Sequence, residues 1–282
     1  MLRHHWLPAL PLFAALVFSL AGAGAVVATV PTPEASPSAR TMTVSTYFLR
    51  EARRGEMIAT AHREIAIPED KTVAKSAMTE LLHGPTKEEK GAGLKTAIPA
   101  KTKLKGINLV SETKVATVDL SKAFTSGDKD TMKAQIAQVV YTLTQFPTIE
   151  KVSFKIDGEK VAKIGDVALA KPVGRADFED VTPIIFVESP APFATVGSPL
   201  TVSGTANTFE GVFQADLLDE HNAVLAHEVV QATSGSGTRG TFETKLTFHA
   251  PQSGTVTLKV YELSAKDGSV VNDVKIPLRV GK

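Results

Sequence analysis

The chain has 282 residues, 43% of them hydrophobic and 22% charged, which is the composition of a soluble globular protein long enough for two domains. Thirty-one Lys and Arg against 30 Asp and Glu leave a formal net charge of +1, so there is no global field for gripping nucleic acid or an acidic polymer. The absence of cysteine excludes a disulfide framework, thiolate metal sites, a cysteine nucleophile and a lipid-modified N-terminal cysteine.

Residues 1–30 open with Met1-Leu2-Arg3-His4-His5, run apolar from Trp6 to Leu20 and end in Ala21-Gly22-Ala23-Gly24-Ala25. This layout predicts either a cleaved secretory signal or an uncleaved N-terminal membrane anchor over residues 6–30. Either one places the rest of the chain outside the cytoplasm. Residues 31–40, with Pro31, Pro33 and Pro37, then read as an extended spacer.

From 41 to 170 strand and helix patterns alternate. Met42, Val44 and Phe48 have strand periodicity. Val73, Ala74, Ala77, Met78, Leu81 and Leu82 predict an amphipathic helix, opened by Pro68-Glu69-Asp70 and stopped by His83-Gly84-Pro85. A loop rich in Gly and Lys is expected up to about Gly106, followed by a hairpin of Ile107–Val110 and Val115–Leu120. Met132, Ile136, Val139, Val140 and Leu143 define a second helix with one apolar stripe, and Val152, Phe154 and Ile156 a last long strand before the turn at Asp157-Gly158. The expected fold is α+β, with helices packed on one face of a mainly antiparallel sheet.

Residues 171–182 read as a linker, and beyond them helical periodicity stops. Seven short strand candidates between Ile184 and Val280, separated by turns such as Asp219-Glu220-His221-Asn222 and Lys266-Asp267-Gly268, predict an immunoglobulin-like β-sandwich over 183–282. With neither a disulfide nor a tryptophan there, its core must be built by residues such as Phe213, Leu217, Phe242, Leu246 and Val260. Residues 41–170 carry 20 Lys and Arg against 16 Asp and Glu, and 181–282 carry 7 against 10. Opposite signs favour stacking of the two domains within or between chains.

Searches for reactive motifs end in loops and strands. Gly91-Ala92-Gly93-Leu94-Lys95-Thr96 lacks the spacing of a phosphate-binding loop, and His227-Glu228 lacks the second helical histidine of a zinc protease. Ser236 is not in a nucleophile elbow. The pairs Glu88/Glu89 and Asp128/Asp130 sit in polar loops or at a helix start, where a carboxylate complements the helix dipole. No catalytic residue, metal site or cofactor is expected. Lys87, Lys90, Lys95, Lys101, Lys103 and Lys105 form a lysine-only patch over 87–105, a candidate contact for an anionic wall polymer or a partner. Without interleaved Arg or aromatics it does not suit nucleic acid.

The opening strand ending Tyr47-Phe48-Leu49, the helix end Glu80-Leu81-Leu82-His83-Gly84-Pro85, the stretches Leu94–Pro99 and Ala116–Phe124, and Val140–Pro147 followed by Val152–Gly158 together resemble a GerMN domain, the module named from sporulation and spore-germination proteins. Val187-Glu188-Ser189-Pro190, Ser198–Gly204, Ala206–Glu210 and Asp267–Leu278 resemble the immunoglobulin-like domain that accompanies it. The resemblance implies a non-enzymatic, extracytoplasmic envelope protein that acts through assembly with itself or an envelope protein. The membrane is met only through the N-terminal segment. The alternative function is binding of an anionic cell-wall polymer through the lysine-rich loop.

Overall fold

The computed structural model describes residues 40–66, 73–249 and 254–281. The leader and all but the last residue of the spacer, together with the helix opener Pro68-Glu69-Asp70, lie outside the described residues. Among the described residues no helix is long and apolar enough to cross a membrane.

Thr41–Ala52 (β1) and Gly55–Ala66 (β2) form a hairpin in register from Thr41↔Ala66 to Ala52↔Gly55. Arg53 and Arg54 make its turn, which Gly55 closes with a φ of 100° that a side chain would strain. The sequence reading missed β2. Met57-Ile58 and Thr60-Ala61 are buried as adjacent pairs, and a strand covered on both faces loses the alternation that would reveal it. Val73–His83 (α1) turns Ala77, Met78 and Leu81 inward, as its stripe predicts.

The loop expected up to Gly106 is largely structured. Lys87–Gly91 (α2) is a short helix, and Leu94–Lys95 (β3) pairs antiparallel with β1 at Leu49 and Arg50. Leu104–Val110 (β4) and Val115–Leu120 (β5) then make the expected hairpin. After a 3₁₀ turn over Lys122–Ser126 comes Met132–Leu143 (α3), and Lys151–Ile156 (β6) returns parallel to β5. Parallel neighbours need a crossover, and α3 supplies it. Glu159–Lys160 (β7) folds back on β6, while Lys163–Ile164 (β8) and Val167–Ala168 (β9) pair with each other. The domain therefore has two principal sheets, β2-β1-β3 and β4-β5-β6-β7, where one was expected.

The second helix also differs from its reading. Every residue of α3 except Lys133 is buried, so it is a central helix and not a one-faced one. Part of its polar stripe is spent on main-chain groups of β1 beyond the two-residue strand β3. Gln138 Nε2 donates to the Tyr47 carbonyl at 3.1 Å, and its Oε1 accepts from Ala97 N at 2.9 Å. Thr142 Oγ1 accepts from Tyr47 N at 3.2 Å, and Gln145, just past the helix end, bonds both Ser45 N and Ser45 O. Side chains thus continue the sheet edge where no strand lies.

The second domain consists of Ile185–Ser189 (β10), Thr195–Val196 (β11), Leu200–Ala206 (β12), Val212–Leu218 (β13), Val224–Gln231 (β14), Gly240–Leu246 (β15), Gly254–Leu263 (β16) and Val270–Val280 (β17). They form two sheets, β10-β12-β15 and β11-β17-β16-β13-β14, so each of the seven expected strands is present and β11 is added. All five residues named for the core are buried, with the Phe213 and Phe242 rings edge to face at 4.8 Å. The segment 171–182, expected as a linker, is packed structure. Val173 exchanges two main-chain bonds with Val152, and the 3₁₀ segment Arg175–Val181 buries Phe178 in the first domain's core.

Candidate functional site

The six lysines are spread over several elements. Lys87 and Lys90 sit on α2, whose start is fixed by a capping box: Thr86 Oγ1 accepts from Glu89 N, and Glu89 Oε2 accepts from Thr86 N at 2.7 Å. Glu89 is buried and also meets Arg63 at 2.7 Å, while Glu88 pairs with Arg279 of the second domain. Lys95, on β3, bonds Glu51 at 2.9 Å and Glu56 at 2.6 Å; these bonds raise its pKa. Lys105, on β4, is held by Asp157 at 2.6 Å, and its pKa is raised by that bond. Lys87, Lys90, Lys101 and Lys103 have no ion pair among the described residues.

The other residues weighed for chemistry have structural partners. His227 Nδ1 lies 2.6 Å from Asp216 Oδ1, on paired residues of β13 and β14. Ser236 Oγ accepts from Glu210 N at 2.9 Å and ties two loops together. Asp128 Oδ1 accepts from Asp130 N at 3.0 Å in a local turn. Among the described residues no group of three His, Asp or Glu is placed to hold a metal ion.

A dense polar cluster lies where the two domains meet. Tyr47 of β1 donates its phenolic O–H to Glu188 of β10 at 2.7 Å, and Arg175 Nη1 donates to the same oxygen at 2.7 Å. Arg175 also donates from Nη2 to Tyr47 Oη at 3.2 Å and from Nε to Thr144 Oγ1 at 2.9 Å. Its guanidinium lies over the rings of Tyr141 and Tyr47, with centroids at 4.7 and 5.3 Å. Phe186 closes this cluster against both tyrosines at 5.6 and 6.1 Å. Burial pushes the Tyr47 phenol far above its ordinary value, so it stays a neutral donor.

Further bonds extend the junction. Thr60 donates to the Val187 carbonyl at 3.3 Å, and His62 Nε2 lies 3.1 Å from the Glu188 carbonyl. Arg239 grips Glu179 through two bonds of 2.8 Å and donates to the Pro183 carbonyl at 2.9 Å. Beside the cluster, the end of the β1–β2 hairpin and β10 and β17 line a partly open cavity of about 350 Å³, walled by Met57, Phe186, Val187, Pro190 and Ile276 and bordered by Arg50. Sequence reasoning missed this junction. Its one local signal was a lone glutamate, Glu188, at the end of an apolar strand, and the residues that answer it lie 13 and 141 positions away.

Comparison with known proteins follows the same division. The family described as "Sporulation and spore germination" matches residues 45–162, and the one described as "Immunoglobulin-like domain of bacterial spore germination" matches residues 184–269. The chain is 26% identical over 152 residues to the spore germination protein GerM of Bacillus subtilis, a match that covers 51% of this chain and 40% of that relative's length. Among solved structures, the first GerMN domain of the Bacillus subtilis sporulation protein GerM is 24% identical, with 48% of this chain and 95% of that one covered and a TM-score of 0.37. A putative lipoprotein from Clostridium perfringens is 23% identical, with 50% and 93% covered and a TM-score of 0.35. The chain therefore carries a domain of the sporulation and spore germination family over residues 45–162, followed by the immunoglobulin-like domain of bacterial spore germination over residues 184–269.

Proposed function

We propose that the protein is a non-enzymatic, extracytoplasmic component of the sporulation or germination machinery that works by assembly, holding itself or an envelope partner through fixed protein surfaces. The observation that carries this reading is the junction at Glu188. An aromatic and ionic cluster fastens the two domains together, which suits a part that transmits position. Polar side chains of the interior, Gln138, Thr142 and Gln145 among them, are engaged in structural bonds. The N-terminal sequence pattern and the spore germination protein among the relatives support the location. Open sheet edges supply contact surfaces: β4 is an edge strand that leaves Leu109 and Val110 exposed, and β14 is one that leaves Val224 and Val229 exposed.

In-cell cross-linking followed by mass spectrometry tests the proposal. Cross-links from residues 41–170 to a second copy or to one envelope protein are the expected result. A control that cross-links efficiently while this chain captures no protein would overturn it and leave wall-polymer binding as the next reading. Lys101 and Lys103, which have no ion pair among the described residues, favour that second reading. It requires that Gln at 101, 103 and 105 abolish salt-sensitive retention on the wall.

A further inference from the structure

Among the described residues four arginines are partly buried, and three of them meet a carboxylate. Arg63 reaches Glu89 at 2.7 Å, Arg175 reaches Glu188 at 2.7 Å and Arg239 reaches Glu179 at 2.8 Å. Arg50 is the exception. Its half-buried guanidinium donates from Nη1 to the Lys275 carbonyl at 3.1 Å, and its Nε is buried with no acceptor among the described residues. A positive charge drawn out of water without a counter-charge is costly. Burial accordingly lowers the Arg50 pKa from its ordinary value.

This uncompensated charge borders the 350 Å³ junction cavity, whose walls are mainly apolar. The cavity's other ionic groups are Glu51, Arg53, Asp273 and Lys275, and Glu51 is already taken by Lys95 at 2.9 Å. That leaves Asp273 as the one remaining acid against three cations. An apolar chamber at a domain interface, near the lower limit of small-ligand pockets and bordered by an arginine in want of an anion, has the chemistry of a binding site. We propose that this cavity binds a small, free, monoanionic amphiphile, with the apolar body between Met57, Phe186, Val187 and Ile276 and the anionic head on Arg50. The ligand spans both domains, so its binding stabilises their junction.

Sodium decanoate is the probe, with 1-decanol as its uncharged counterpart and phosphatidylglycerol vesicles as the bilayer-held anion, measured by titration calorimetry on the full chain. The expected result is saturable decanoate binding, weakened at least about tenfold in decanol and in Arg50→Gln, the loss of a hydrogen bond to a charged group. Ala59 also borders the cavity, and Ala59→Phe fills it from the side of β2 while leaving every charge in place, so it blocks decanoate as well. Circular dichroism establishes that each variant is folded, and a misfolded Arg50→Gln leaves the decanol comparison and Ala59→Phe to decide. Equal binding of decanoate and decanol, unchanged binding in folded Arg50→Gln or in Ala59→Phe, no binding, or binding to the vesicles alone would each overturn the proposal.

Discussion

The side-chain amide of Gln138 donates to the main-chain carbonyl of Tyr47 at 3.1 Å, so a helix side chain takes the place of a neighbouring strand. Gln138 is fully buried, and its other end accepts from Ala97 N. On a helical wheel, Gln138→Leu would read as an improvement. In the folded chain it strands two main-chain groups away from water at about 1–3 kcal/mol each. The expected outcome is a loss of roughly 2–6 kcal/mol in urea unfolding, with Gln138→Glu also destabilising because its carboxylate cannot donate to Tyr47.

Replacing Glu188 tests the junction. The Arg175 and Glu188 side chains are 27% and 26% exposed, so Glu188→Ala is expected to cost about 2–3 kcal/mol, below the 3–5 kcal/mol of a fully buried pair. The double variant Glu188→Ala/Arg175→Ala should cost less than the sum of the single ones, since the second removes the charge the first left unpaired. Additive losses in denaturant titrations would mean the two residues do not act as one unit.

His62 links the junction to pH. Burial holds its imidazole below the ordinary 6.5, beside the Glu188 carbonyl. The unfolded chain therefore takes up the proton first as pH falls. The stability linked to His62 is complete above about 6.5 and is lost progressively from there down through the lowered folded-state value. His62→Gln should flatten the decline of melting temperature between pH 7 and 5 relative to the parent chain. Parallel declines would remove His62 from the account.

Gly204 sits where β12 passes β10 at the register shift between Val187 and Ser189. A Cβ there would lie 2.0 Å from the Phe186 carbonyl oxygen and 3.1 Å from Glu188 N. Gly204→Ala should therefore displace the strand that carries both junction residues, at a cost of roughly 3 kcal/mol. Thermal unfolding checks the loss, and a change in near-ultraviolet circular dichroism from Tyr47 and Tyr141 checks that the displacement reaches the aromatic cluster.

Local pattern alone was enough to divide the chain into an α+β part and a β-sandwich, to find α1, the β4–β5 hairpin and the seven main sandwich strands, and to name the core from Phe213 to Val260. Most of these elements carry their apolar residues at the period of their own secondary structure, because one face meets water and the other does not. Tertiary structure decided the rest. β2 and α3 are covered on more than one side, so their burial does not follow a simple period, and the polar residues of α3 became partners of a distant strand edge. Two of the run's lysines, Lys95 and Lys105, are paired because Glu51, Glu56 and Asp157 arrive from other strands and a turn, and the Tyr47–Arg175–Glu188 cluster unites residues up to 141 positions apart. A sequence carries its periodicities locally, whereas charge compensation and the sealing of strand edges depend on which distant groups the fold brings within hydrogen-bonding reach.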